Sequence, residues 1–170
     1  MNWTPAHPEV QRYISNLLTP WKQFVFMFTK LPGAMFFGIR VKILTPANAA
    51  VTLPYRWSTK NPFRSIYFAA QCAAGELATG ILVMLALQGR ASASILVSQV
   101  RAEFTKKANS LITFTCHQGQ EVIETVEKVI AMDDAQTITM MAVGNNDKGE
   151  EVSKIYITWT IKKRPSLTTK

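Results

Sequence analysis

Residues 66–87 read IYFAAQCAAGELATGILVMLAL, twenty-two residues with a single charge, Glu76. As a helix this stretch would run about 33 Å, long enough to cross a bilayer. Gln71, Glu76 and Thr79 stand in its middle, however, where an ionised carboxylate in hydrocarbon is costly, and no second apolar segment accompanies it. A helix that is apolar all round is either a membrane span or the centre of a protein core. The sequence therefore predicts a buried helix in a protein core, covered by the sheet that the rest of the chain offers and ending near Gln88-Gly89-Arg90, where Gly terminates helices.

The flanking sequence supplies that sheet. Ile39, Val41 and Ile43 alternate with Arg40 and Lys42, and the turn Pro46-Ala47-Asn48 leads into Ala49 to Tyr55, which reads as a β-hairpin. Beyond the apolar helix, Ser94 to Thr105, Leu111 to His117, Gln136 to Val143 and Glu151 to Lys162 are four further strand candidates. The last two are joined by Asn145-Asn146-Asp147-Lys148-Gly149, residues that tolerate a turn. Residues 119–131 break the alternation, with Val122, Val126, Val129 and Ile130 at helical spacing, and predict a short surface helix. Two helices open the chain. One starts at His7-Pro8; the other runs from Pro20 to Lys30 with Trp21, Phe24, Val25 and Phe28 on one face, which we read as packed against the core, and Leu31-Pro32-Gly33 stops it. The fold class expected is α+β, an antiparallel sheet of about six strands plus one long apolar helix. Residues 1–36 form an N-terminal helical extension, 37–164 the domain proper and 165–170 a tail, with Lys162-Lys163-Arg164 read as solvated charge.

The 170 residues are 48% hydrophobic and carry a net charge of +8. All of that excess falls in residues 1–102, which hold ten basic and two acidic side chains. Such a field favours anionic ligands without choosing among them. There is no basic stretch interleaved with aromatic residues of the kind that binds nucleic acid, and no phosphate-cradling glycine loop or hydrolase elbow. Cys72 and Cys116 lack paired spacing, and His7 and His117 are the only histidines, so no metal site is expected. The N-terminus MNWTPAHPEV has no secretory pattern, and a cytoplasmic protein starting at Met1 is the expectation.

Glu76 is the only acidic residue between Glu9 and Glu103. A lone carboxylate inside an apolar helix costs several kcal/mol unless paired, hydrogen-bonded or protonated. It is therefore either a functional group or one half of a structural pair with Arg64, Tyr67 or Thr79. Ala69, Cys72 and Ala73 on one side, with Thr79, Gly80 and Val83 on the other, give its helix face a small profile suited to close approach by another backbone.

Asn61-Pro62-Phe63-Arg64-Ser65-Ile66-Tyr67-Phe68-Ala69-Ala70, followed by Glu76-Leu77-Ala78-Thr79-Gly80, resembles the N-x-x-G-[ST]-x-H-G-G-A … [DE]-x-A-x-G stretch of hotdog-fold acyl-CoA thioesterases of the phenylacetate-pathway type, with the same spacing of fifteen from Asn to carboxylate. Leu31-Pro32, Gly38-Ile39-Arg40-Val41 and the ending Thr158 to Lys162 further resemble an uncharacterised thioesterase-like branch of that superfamily. The resemblance covers residues 20–163. It implies a hotdog fold, in which the sheet wraps around the long apolar helix, a homodimer or dimer of dimers with sites between subunits, and hydrolysis of an acyl-CoA or acyl-carrier thioester without a cofactor, CoA being part of the substrate. By the same resemblance Glu76 is the nucleophile or general base, Asn61 positions water or substrate, and the backbone N–H of Phe68 polarises the thioester oxygen. The sequence departs from the motif where Tyr67 replaces His, Phe68 and Ala69 replace two Gly, and Arg64 replaces the loop Gly. Those departures motivate an alternative, a catalytically weak acyl- or CoA-binding or interaction module on the same fold. Arg64, Arg90, Lys106 and Lys107 are the candidate contacts to CoA phosphates. A membrane-surface role for the aromatic N-terminal helices is the third and least favoured reading.

Overall fold

The structure, a computed structural model, describes residues 3–132 and 134–164; the tail assigned to 165–170 lies outside them. Three helices, α1 (Pro8–Leu18), α2 (Pro20–Lys30) and α3 (Pro32–Phe37), precede the hairpin β1 (Arg40–Leu44) and β2 (Ala49–Leu53). Then come α4 (Phe68–Leu87), β3 (Ala93–Phe104), β4 (Ile112–Cys116), α5 (Gly119–Met132), β5 (Gln136–Asn145) and β6 (Glu151–Lys163). The strands form one antiparallel sheet in the order β1-β2-β4-β5-β6-β3. The sheet curls around α4, which is the α+β arrangement read from the sequence.

The apolar helix explains the curvature. Ala70, Ala74, Leu77, Ala78, Ile81, Leu82, Val83 and Leu85 are all buried, so α4 needs cover on several sides rather than one. Strand β6 supplies much of it, its inward residues Ile155, Ile157, Trp159 and Ile161 alternating with outward ones as the pleat requires. Glycines let the two elements touch. A Cβ on Gly75 would sit 2.5 Å from Cβ of Ile155, and one on Gly80 would sit 3.1 Å from the Trp159 ring. Two polar ties fix the register: Trp159 Nε1 donates to Thr79 Oγ1 at 3.0 Å, and Ser153 Oγ donates to Gln71 Oε1 at 3.0 Å. On the remaining side α5 packs Val122, Val126 and Val129 against the helix and β5.

Two local readings are extended and one is corrected. Leu31-Pro32-Gly33 stops α2 at Lys30 as read, with Leu31 as its cap, and because Pro32 suits the first position of a new helix, a further helix α3 follows until Gly38, whose φ of 74° closes it. The last strand runs one residue past the Lys162 expected, to Lys163, with Lys162 and Lys163 paired with Ser94 and Ala93. In α2 the face carrying Trp21, Phe24, Val25 and Phe28 is exposed; the buried residues are Gln23 and Met27. Gln23 Nε2 donates to the carbonyls of Leu17 and Val41, which seats α2 on α1 and β1 through its polar side and turns the aromatic face outward.

The loop entering α4 is held by Asn61, whose Oδ1 accepts from the N–H groups of Phe63 at 3.0 Å and Ser65 at 3.1 Å. That turn places Arg64 at φ 58°, in the left-handed region that glycine occupies freely, at the position where the resembling motif carries Gly. Ser65 Oγ and the backbone of Ile66 then bond Ala108, tying the loop to the segment between β3 and β4.

Two stability outcomes follow from these contacts. Gly75→Val drives a side chain into Ile155 and is expected to cost about 2 kcal/mol or more, read as a fall in melting temperature of roughly 4–8 °C for a chain of this size; an unchanged melting temperature would show that the two elements can part. Arg64→Gly relieves the left-handed strain and is expected to gain roughly 1 kcal/mol after the glycine's own entropy cost, a rise of about 2–4 °C. A drop instead would mean that the arginine side chain holds the loop.

Candidate active site

Along α4, Ala69, Cys72, Ala73 and Glu76 form a half-buried stripe that the chain's own sheet leaves partly open, with Met84 and Leu87 continuing it. Thr79, Gly80 and Val83, grouped with this face in the sequence reading, are instead buried inside the chain. The stripe alone remains for contact with something else. Glu76 lies at its centre with no hydrogen bond or ion pair to its carboxylate among the described residues; the Thr79 hydroxyl bonds the Glu76 carbonyl instead. Burial without compensation pushes the Glu76 carboxyl above its ordinary value. Gly80 leaves room beside it, since a Cβ there would stand 3.6 Å from Oε1.

The start of α4 offers a complementary set of groups. Tyr67 caps the helix with its backbone in extended conformation and no side-chain bond, and its N–H donates to Thr59 at 2.7 Å. The N–H groups of Phe68 and Ala69, the first of the helix, have no acceptor among the described residues. Helix-start donors of this kind, reinforced by the helix dipole, are suited to a developing oxyanion. Because the Asn61 oxygen is occupied by two backbone N–H groups, its Nδ2 is the free end of the amide. The Phe68 ring stands 56% exposed, edge-on to Tyr67 at 4.8 Å. With Phe63 it forms an aromatic surface at the helix entrance.

The expected site residues therefore divide into groups. Asn61, Arg64 and Phe68 lie together at the start of α4, and Lys106 and Lys107 lie beside them, because the backbone and hydroxyl bonds to Ala108 hold their loop against Ser65 and Ile66. Lys106 is paired with Glu150 at 2.8 Å on the surface. Arg90 sits at the opposite end of the helix with a side chain only 5% exposed, bonded to Glu127 at 3.3 Å and to the Ile123 carbonyl, with the Trp3 ring 5.0 Å away. Its guanidinium fastens α5 and the N-terminal segment to the end of α4. Glu76 is eight residues beyond Phe68, about 12 Å along the axis, so the carboxylate and the Phe68 N–H of one chain do not meet on one small group. The sequence reading missed Gln71 and Ser153, which steady the first turns of α4 from beneath; two polar residues of complementary type at inward positions were the available signal.

One edge of the sheet is β3, where Leu96, Val100 and Phe104 are 62%, 51% and 45% exposed; a register shift after Val97 sets Leu96 on the outward face, paired with Thr160, and Val100 and Phe104 on the inward face, paired with Ile157 and Ser153. An open edge of twelve residues is a template for another strand. Among the described residues no three His, Cys, Asp or Glu side chains gather as metal ligands would.

Comparison with known proteins places this geometry. The chain is similar in structure to a protein from Pseudomonas aeruginosa described as a probable thioesterase, with TM-score 0.74 and 14% identity over 88% of this chain and 99% of that one. It is also similar to a thioesterase from Staphylococcus aureus, with TM-score 0.61 and 17% identity over 77% and 98%. A thioesterase from Haemophilus influenzae aligns with TM-score 0.59 and 11% identity over 86% and 94%. At such identities the likeness establishes the hotdog fold, the architecture expected from the Asn61 to Glu76 motif. No curated protein matches the sequence. The model of a family known as a domain of unknown function, DUF4442, matches residues 21–161, and the chain, a hotdog protein by its structure, belongs to that family.

Proposed function

We propose that this protein hydrolyses an acyl thioester, with acyl-CoA or an acyl-carrier thioester as substrate, in a homodimer whose two sites each draw on both chains. The observation that carries the reading is Glu76, an unpartnered and partly buried carboxylate on the open stripe of the central helix. The thioesterases of similar fold add support. The helical rise supplies the reason for a dimer: Glu76 and the helix-start N–H groups of one chain are about 12 Å apart along the axis. An antiparallel partner helix laid against the stripe would bring the Glu76 of one chain toward the helix start of the other. Pairing of β3 with β3 would bury the open edge at the same time.

In this reading Glu76 takes a proton from water as the water oxygen attacks the thioester carbon. The Phe68 and Ala69 N–H groups receive the negative charge that forms on the carbonyl oxygen. The carbon–sulfur bond then breaks, the proton passes from Glu76 to the leaving sulfur, and a carboxylic acid and a thiol depart. A carboxyl held above its ordinary value is the stronger base, which suits work near neutral pH. The Nδ2 of Asn61 orients water or substrate, and Arg64, Lys106 and Lys107 are the contacts to CoA phosphates, Lys106 exchanging its surface pairing with Glu150 for phosphate, whereas Arg90 is held by Glu127. A second reading, acyl or CoA binding without turnover, is favoured by Tyr67 and Phe68, large rings where the motif has His and Gly.

Glu76→Gln separates the two. For hydrolysis, the variant loses about two orders of magnitude or more in kcat on an acyl-CoA panel while binding survives; for binding alone, parent and variant share the same affinity and neither turns over. The same variant also reports on burial. A carboxyl raised in the folded state keeps its full stability below the unfolded value and loses it as pH rises through the folded one. Glu76→Gln is therefore expected to be more stable than the parent at neutral pH, with the gap closing as pH falls into the ordinary carboxylate range; a less stable variant would reveal a partner for the carboxylate. The shared site is tested by co-refolding Glu76→Gln with Asn61→Asp, which keeps the loop-holding oxygen and removes the amide donor. Mixed dimers hold one intact site, so about a quarter of parental activity returns; no recovery would place the whole site within one chain.

A further inference from the structure

The outward face of α2, with its neighbours on α3 and the following loop, is an apolar exposure that the site does not use. Trp21, Phe24 and Phe28 are 66%, 56% and 63% exposed, and Phe36 of α3 and Trp57 of the following loop are 57% and 76% exposed. The rings are organised: Phe24 stacks on Phe28 with centroids 6.2 Å apart, and Phe36 meets Trp57 edge-on at 6.2 Å. Two hollows join them. One, of about 750 Å³, holds Trp21, Phe24 and Met35 beside Arg40, Lys42 and Arg56, and the other holds Phe28, Phe36 and Trp57, also beside Arg56. Arg56 and Met35 line both, so the surface is continuous.

Its charge is of one sign. Lys22, Lys30, Arg40, Lys42 and Arg56 lie in or beside the patch, and none of them forms an ion pair among the described residues. Residues 10–75 contain eight basic side chains and no acidic one. Lys22 stands over the Trp21 ring with Nζ 5.7 Å from the centroid. Clustered tryptophan and phenylalanine among unpaired cations match the interface of an anionic bilayer, where rings enter the headgroup layer and cations meet lipid phosphates and carboxylates. A second copy fits poorly, since a two-fold contact would set the same five cations against themselves. The patch also borders β1, at the opposite edge of the sheet from β3. A dimer formed through β3 would thus leave it open.

We infer that the α2–α3 face docks this protein on anionic phospholipid membranes. This inference does not depend on thioester hydrolysis. The test is co-sedimentation of the full chain with phosphatidylcholine vesicles, with and without phosphatidylserine, alongside the emission of its tryptophans. The expected result is binding to the anionic vesicles only, weakened by salt, with a blue shift as Trp21 and Trp57 leave water. Arg40→Glu with Lys42→Glu, and separately Trp21→Ser with Phe28→Ser, should each lower the vesicle affinity about tenfold or more, whereas Lys106→Glu with Lys107→Glu should leave it within about twofold. All of these positions are exposed, and circular dichroism checks that each variant folds. The inference is overturned if the parent does not bind, if neutral and anionic vesicles bind alike, or if the patch variants sediment as the parent does. It is equally overturned if the aromatic pair changes the oligomeric state while vesicle binding stays the same, which would make the face a self-association surface.

Discussion

The wrapping of α4 is the constraint from which the rest follows. A twenty-residue helix that is apolar nearly all round gains about 1.5–3 kcal/mol for each large side chain it buries, but only if cover reaches it from several directions. One flat sheet cannot do that. A curved six-stranded sheet, with α5 on a further side and the N-terminal helices closing over β1, does so for most of the circumference. The approach of Gly75 to Ile155 and of Gly80 to Trp159 sets how close the sheet lies. The stripe left partly open is the one that contains the helix's charge, so the packing problem and the chemistry converge on the same few residues.

Much of this was legible in the sequence, for identifiable reasons. Residues 66–87 announced themselves by composition, and the strands by alternation, because burial on one face of a pleated sheet imposes period two. The Asn61 motif is readable because the turn it makes depends on a particular oxygen accepting two backbone N–H groups, which few side chains can do. The α2 face was misread for an equally physical reason. Helical spacing of Trp21, Phe24, Val25 and Phe28 says that they share a side, not which side is turned inward. That was decided by Gln23, a polar residue that bonds Leu17 in the preceding helix and Val41 eighteen residues on, the second acceptor visible only once β1 is in place. Arg90 was opaque in the same way, since its partners come from α5, through Glu127 and Ile123, and from the N-terminal segment, through Trp3.

The site itself was half legible. A lone carboxylate in an apolar helix singled out Glu76 and the family resemblance pointed to Asn61 and Phe68, but spacing along a chain does not say whether groups meet. The rise of an α-helix shows that Phe68 and Glu76 do not meet within one chain. Unsatisfied groups at both places, open helix-start N–H groups at one and an uncompensated carboxylate at the other, are each tolerable where solvent or a partner can reach them. They are complementary in charge, which is the physical basis for reading them as two halves of one arrangement.

The amide of Gln23 bears on how the molecule breathes. Through it, and through Val10, Leu17 and Met27 in the common core, the N-terminal helices are part of the same packed body as the sheet. They are not an appendage that frays on its own. Backbone amides of α1 and α2 would then exchange their hydrogens with solvent mainly through the opening that also exposes β1. For the aromatic face this means rigidity: its rings are presented on a stiff frame, so whatever surface receives them meets a preformed shape and need not supply the ordering entropy that a loose amphipathic tail would demand.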